Sequence, residues 1–261
     1  MPDAVDVRGA RLAYESAGDG RPFLWGHGLT SSRRREAERQ LFDWSTVADV
    51  ARVIRYDARG HGHSPATPDE ADYRWDSLAL DYLGVADALG LDRFVGGGAS
   101  MGAATTLHAA VLAPERFDAL VLAIPPTAWA TRAAQAGVYR KSADVLQRKG
   151  LAVWKELAAR QPVPAIIAAD PLFTGPDPDV AEADLPTVMR GAASSDLPGP
   201  DAITAIDRPT LVLAWTTDPV HPVATAEALH DLLGGDLHVA TTMDEVRAWP
   251  GRVREFLAAL P

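Results

Sequence analysis

The stretch Gly98-Ala99-Ser100-Met101-Gly102 sets a serine among small residues in a G-x-S-x-G spacing. It follows an apolar run over 94–97 and opens a segment, 101–112, with a helical pattern. That context suits a sharp strand-to-helix bend. The glycines let the backbone turn without a Cβ clash, and the bend lifts the Ser100 hydroxyl into the open. The free N–H groups and positive dipole end of the next helix face the same point, so the Met101 N–H is expected to serve as an oxyanion donor. A glycine-rich bend of this kind can also serve close packing alone, or cradle a phosphate. A serine hydroxyl is a poor nucleophile by itself. Chemistry at Ser100 requires a base to take its proton and an acid to orient that base.

The elements that must position such a serine are visible along the chain. Short apolar runs at 5–7, 12–14, 23–25, 53–56, 94–97, 120–124, 211–215 and 237–240 read as eight strands. Helical patterns lie between them, near 36–50, 75–89, 101–112, 223–233 and 246–260. From Val53 onward the strand runs are short and continuously apolar, as in a parallel sheet buried on both faces. Strand–helix alternation predicts an α/β fold with a mostly parallel eight-stranded sheet flanked by helices. The alternation stops over 126–207, where eight prolines from Pro162 to Pro200 punctuate helical patterns at 142–149, 151–160 and 180–193. A structureless loop of that length is improbable in a compact domain. The division expected is therefore a core of 1–125 and 208–261 with a helical cap of 126–207.

Composition narrows the chemistry. The 261 residues are 47% hydrophobic and 23% charged, ordinary for a globular protein and unlike a disordered or fibrous one. There is no Cys, which excludes disulfides, thiolate metal sites and a cysteine nucleophile. Asp and Glu number 35 against 25 Lys and Arg, a net charge of −10, so neither nucleic acid nor an anionic membrane surface is an expected partner. The N-terminal residues lack a basic patch ahead of an apolar run, and the uncharged stretch 94–114 is too rich in Gly, Ser and Thr for a membrane span. A cytoplasmic protein with a small-molecule substrate is the expectation. No metal is expected, since the His and carboxylates show no ligand spacing such as H-x-x-x-H.

Three further segments, taken with the serine bend, resemble the α/β-hydrolase-fold superfamily, with the pattern of its 3-oxoadipate enol-lactonase and esterase-like branch. Phe23-Leu24-Trp25-Gly26-His27-Gly28-Leu29 is similar to the family's strand followed by His-Gly, which implies a second oxyanion donor in the N–H of Leu29. Tyr56-Asp57-Ala58-Arg59-Gly60-His61-Gly62-His63-Ser64 resembles its D-x-R-G-x-G-x-S loop, implied to be mainly structural. Ala113-Pro114-Glu115-Arg116-Phe117 resembles the link from the helix after the serine to the next strand. The resemblance covers about 10–125 and 208–260. It implies a catalytic acid after Ser100 in the chain and a His after the acid. Asp218, which follows the run 211–215, matches the acid position, although it could merely cap the helix that begins near Pro222.

The family's His is missing from its usual place. It is expected after the last strand, seven residues before a Pro; counting back from Pro250 reaches Met243, and 241–250 holds no His. Asp244 and Glu245 stand beside that slot, but a carboxylate with a pKa of about 4 is a poor base for a serine hydroxyl and suits the start of the final helix better. Of the seven His, His27 belongs to the oxyanion turn, His61 and His63 to the Arg-Gly loop, His108 and His230 to helices and His238 to the last strand. His221 is three residues after Asp218, on a loop at the carboxyl end of the sheet where ligands bind. It could replace the missing base, or simply face solvent ahead of Pro222. In the cap, Trp129, Tyr139, Trp154, Phe173 and Met189 are candidates to shape an apolar pocket.

The expected function is a serine hydrolase acting on a small, apolar ester or lactone, without cofactor. Ser100 would be the nucleophile, Asp218 the acid, His221 the base, and Leu29 and Met101 the oxyanion donors. The alternative, to which the vacated His slot points, is a non-hydrolytic protein of the same fold that binds a small ligand or runs another reaction in the same pocket.

Overall fold

The computed structural model describes residues 2–168 and 170–261. Eight strands form one sheet: β1 (Asp3–Val7), β2 (Ala10–Ala17), β3 (Pro22–Gly26), β4 (Arg52–Tyr56), β5 (Phe94–Ala99), β6 (Phe117–Ala123), β7 (Thr210–Trp215) and β8 (Asp236–Ala240). Their spatial order is β1-β2-β4-β3-β5-β6-β7-β8. β1 pairs antiparallel with β2 and β2 with β4, while every other pairing is parallel. All eight strands expected from the sequence are present, and the sheet is mostly parallel.

Eleven α-helices are found among the described residues. Up to the sixth strand they are α1 (Arg33–Glu38), α2 (Ser45–Ala48), α3 (Trp75–Ala88) and α4 (Met101–Leu112). Between β6 and β7 come α5 (Arg132–Ala159), α6 (Ala165–Ala168), α7 (Leu185–Ala193) and α8 (Pro200–Thr204), and after β7 come α9 (Val223–Leu233), α10 (Met243–Arg247) and α11 (Trp249–Ala259).

The core follows from the period of two in the strands. Leu120 and Leu122 pack on one face of the sheet with Leu24, Ile54, Tyr82, Phe94 and Leu107, whereas Val121 packs on the other with Phe23, Trp25, Val95, Leu213 and Trp249. Both faces are covered, so β5 and β7 are buried at every position. This is why their sequences read as unbroken apolar runs.

Two helical expectations need correction. The single helix expected over 36–50 is broken into α1 and α2, with Gln40 at a φ of 48° between them. Reversing the chain there lets Phe42 and Trp44 reach Trp25, with ring centroids 4.9 and 4.6 Å away. Burial of three aromatic rings outweighs continuity of a marginal helix. The helix expected over 246–260 is likewise two. α10 starts earlier, with Thr242 as N-cap in a reciprocal capping box with Glu245, and α11 restarts at Trp249 with Pro250 in its first turn. Helix α5 runs through 142–149 and on to Ala159, with non-helical geometry at Gly150 (φ 80°) where the two expected patterns part. No helix among the described residues is long and apolar enough to cross a membrane.

Candidate active site

Strand β5 delivers Ser100. The residue sits between β5 and α4 with φ 54° and ψ −110°, a conformation that an L-residue adopts only under constraint. The constraint is close packing. A Cβ on Gly102 would lie 2.0 Å from the carbonyl oxygen of Gly26, and one on Gly98 would lie 2.4 Å from the carbonyl carbon of Gly102. Only glycine admits that approach of α4 to β3 and β5. The Ser100 N–H donates to Ala123 O at 3.0 Å, which ties the bend to the end of β6.

The carboxyl end of β7 delivers the other two side chains. After Trp215 the chain turns through Thr217 (φ 67°), and the His221 N–H returns to Asp218 O at 3.3 Å. This turn points Asp218 and His221 the same way. His221 Nδ1 lies 2.7 Å from Asp218 Oδ2, and His221 Nε2 lies 2.8 Å from Ser100 Oγ. Asp218 also accepts the Trp215 indole N–H at 3.0 Å on Oδ2 and the Val220 N–H at 2.9 Å on Oδ1. The carboxylate is thus surrounded by donors. Burial alone would raise its pKa, but His221, the Val220 N–H and the indole outweigh burial and hold it below the ordinary carboxylate value. An ionised Asp218 can only accept, so His221 carries its proton on Nδ1 and leaves Nε2 free to accept from the Ser100 hydroxyl. This is the connectivity needed to draw a proton from the serine.

Two further contacts hold the acid loop from the helical segment. The Ile166 N–H donates to Thr217 Oγ1 at 3.0 Å, and the Thr127 N–H donates to Val220 O at 3.0 Å.

The turn after β3 lies against the serine. A Cβ on Gly28 would be 3.5 Å from Ser100 Cβ. His27 is buried beneath this turn with its tautomer set by its partners: Nε2 accepts from the Ala58 N–H at 2.9 Å, so Nδ1 carries the proton and donates to Gly28 O at 2.8 Å. Burial lowers the His27 pKa, and burial beside His27 pushes that of His61 down to about 3. Both rings are neutral wedges. Among the described residues the backbone N–H groups of Leu29 and Met101 have no hydrogen-bond partner.

The remaining histidines stand elsewhere. His63 is exposed near Asp57, and His108 Nε2 meets Asp196 O at 2.9 Å, joining α4 to the helical segment. His238 stays within β8. Where the family's His would stand, Met243 packs at the edge of the apolar cluster that holds Trp215 and Trp249, and Glu245 caps α10. Among the described residues no group of three or more His, Asp or Glu could hold a metal ion.

A cavity of about 340 Å³ opens beside the turn after β3, lined by Leu29, Thr30, Arg39, Trp154, Pro164 and Phe173 among others. Of the five apolar cap candidates, Trp154 and Phe173 line it. Met189 is instead buried in the core of the helical segment with Tyr139 against it, and the Trp129 indole N–H donates to Pro198 O at 3.0 Å. A larger cavity, about 920 Å³, lies between Glu15 and Arg55 on β2 and β4 and the loop carrying Phe42 and Trp44; Ser100 and His221 line neither cavity.

Sequence reasoning missed Trp215 as a ligand of Asp218. The signal was present: a Trp at the end of a buried strand, three residues before an Asp, carries an indole N–H that needs an acceptor.

Residues 22–142 match the model of the alpha/beta hydrolase fold family. The chain is 29% identical to 3-oxoadipate enol-lactonase 2 of Acinetobacter baylyi over 186 residues, 68% of this chain and 65% of that protein, so the matched stretch spans just under two thirds of the lactonase. It is 26% identical to a non-heme haloperoxidase of Rhodococcus erythropolis over 87% of this chain and 85% of that one. In structure it resembles the enol-lactonase of Burkholderia xenovorans, with a TM-score of 0.80, 22% identity, and coverage of 98% of this chain and 100% of that one. The chain has the α/β-hydrolase fold and resembles enol-lactonases and esterases of that fold.

Proposed function

We propose that the protein is a serine hydrolase that cleaves a small, largely apolar ester or lactone. One observation carries this reading: the unbroken chain from Ser100 Oγ to His221 Nε2 (2.8 Å) and from His221 Nδ1 to Asp218 Oδ2 (2.7 Å). As Ser100 attacks the substrate carbonyl, its proton passes to His221 Nε2, and the imidazolium is stabilised by the Asp218 carboxylate. The N–H groups of Leu29 and Met101 receive the oxyanion. Collapse of the tetrahedral intermediate expels the alkoxide, which takes the proton back from Nε2. A water then repeats the sequence on the acyl-enzyme, with His221 again as base. If the substrate is a lactone, the expelled alkoxide stays attached to the acyl group. The apolar walls of Trp154 and Phe173 beside Leu29 support a small, largely apolar substrate. The likeness to an enol-lactonase agrees in direction.

The test is treatment with a fluorophosphonate followed by mass mapping. An adduct on Ser100, abolished by His221→Ala in a folded chain, is the expected result. No adduct between about pH 6 and 9 would sink the hydrolase reading in favour of ligand binding or another reaction on the same fold. Labelling that survives His221→Ala would remove that imidazole from the mechanism.

A further inference from the structure

The stretch just after Leu29 is gripped from a distant part of the chain. Thr30, next to it, has a φ of 60°, a left-handed conformation that a β-branched residue does not keep unaided. Its carbonyl accepts the backbone N–H of Asp179 at 2.8 Å. Two residues on, the Ser32 hydroxyl donates to Asp179 Oδ2 at 2.5 Å. Having given its proton away, Ser32 Oγ is left to accept, and it takes the Arg35 N–H at 3.1 Å as the N-cap of α1. The carbonyl of Asp179 meanwhile accepts the Gly62 N–H at 2.8 Å, which anchors Asp179 on the loop after β4. Its second carboxylate oxygen pairs with the half-exposed Arg34 at 2.7 Å.

One residue therefore holds the C-terminal side of the oxyanion turn at two points, Thr30 through its backbone and Ser32 through its side chain, while braced against a third loop. We propose that Asp179 is a positioning residue that holds the Leu29 N–H in line with Ser100, so that the segment between β6 and β7 controls the oxyanion site. This rests on the hydrolase reading above. The energetic logic is that a strained turn keeps its geometry only while its neighbours over-determine it. Removing the carboxylate frees Ser32 and leaves Thr30 held by one backbone bond. Displacement of a reacting or stabilising group by about 1 Å costs about 100-fold in rate. Arg34 is peripheral here, because an exposed ion pair contributes little.

The rate of Ser100 labelling by a fluorophosphonate and the hydrolysis of a p-nitrophenyl ester test this. Asp179→Ala should lower the labelling rate constant and kcat about 30-fold with KM within about threefold, a loss of transition-state rather than ground-state binding. Asp179→Asn keeps an acceptor for Ser32 and should recover most of the rate. Ser32→Ala should lose about tenfold, and adding it to Asp179→Ala should cost nothing further, since the two act as one unit. Arg34→Ala should stay within about threefold of the unaltered chain. If Asp179→Ala does not fold, Ser32→Ala alone decides. Unchanged labelling in Asp179→Ala or in Ser32→Ala, additive losses, or an equal loss in Arg34→Ala would overturn the proposal while leaving the hydrolase reading intact. Absence of any adduct on the unaltered chain would instead remove that reading, and this one with it.

Discussion

Two loops leave the same end of the sheet side by side, and one of them carries both the carboxylate and the imidazole. The loop after β7 holds Asp218 and His221 three residues apart, in hydrogen-bond contact with each other and, through His221, with Ser100. The loop after β8, where the family places its histidine, instead closes on itself: Thr242 and Glu245 cap α10 and Met243 packs at the edge of the core. A base need only reach the serine with its far nitrogen and an acceptor with its near one. The geometry of the end of a parallel sheet offers more than one backbone position from which to do that.

The strongest way to break this comparison is to move the imidazole back. Removing the base of a catalytic triad lowers kcat by about 10⁶-fold, so His221→Ala should leave almost no hydrolysis of an activated ester. Adding Met243→His should not restore it, because the new ring would start from a capped helix packed on Trp215 and Trp249. Recovery above about tenfold would make the two loops interchangeable in this chain.

Next in size is Asp218→Asn, which removes the carboxylate that fixes the proton on Nδ1. It should lower kcat about 10⁴-fold. The same variant carries a pH signature in stability. The folded-state pKa of Asp218 lies below its ordinary value of 3.8, so its contribution is present above that value and is lost as pH falls through the folded pKa. The stability gap between the two chains, measured by urea unfolding, should therefore be widest near neutral pH and narrow in acid. A gap that widens in acid would contradict the hydrogen-bonded carboxylate.

Trp215→Phe sharpens the comparison by deleting one of the donors to Asp218. A hydrogen bond to a charged group contributes about 1.5–3 kcal/mol, and with the other donors left in place a loss of about tenfold in kcat is expected. No change would mean that the indole serves packing alone. The smallest effect belongs to the other loop. Thr242→Ala should cost about 1 kcal/mol of stability as a lost helix cap and leave kcat within about twofold. A large fall in kcat would return the β8 loop to the active site.

Much of this could be read from residue types. The central strands β5, β6 and β7 were visible because a sheet buried on both faces demands continuous apolar runs, and Ser100 was visible because only small neighbours fit its bend. His221 stood out through its closeness to Asp218 in the chain. What stayed hidden depends on partners far away. The break between α1 and α2 is driven by Trp25, which no periodicity in 36–50 reveals. The contact of Ser32 with Asp179 spans 147 residues. Local pattern carries local structure; long-range polar contacts need the folded chain.

A carboxylate and an imidazole that stand within four consecutive positions can move as a block. Exchange of one short surface loop between cousins of this architecture would carry both groups across at once, already oriented by their shared turn and needing only a nearby alcohol. The split arrangement has no such property, since two separate grafts must land in register. Chains with an empty histidine slot after the last strand are therefore worth inspecting one strand earlier.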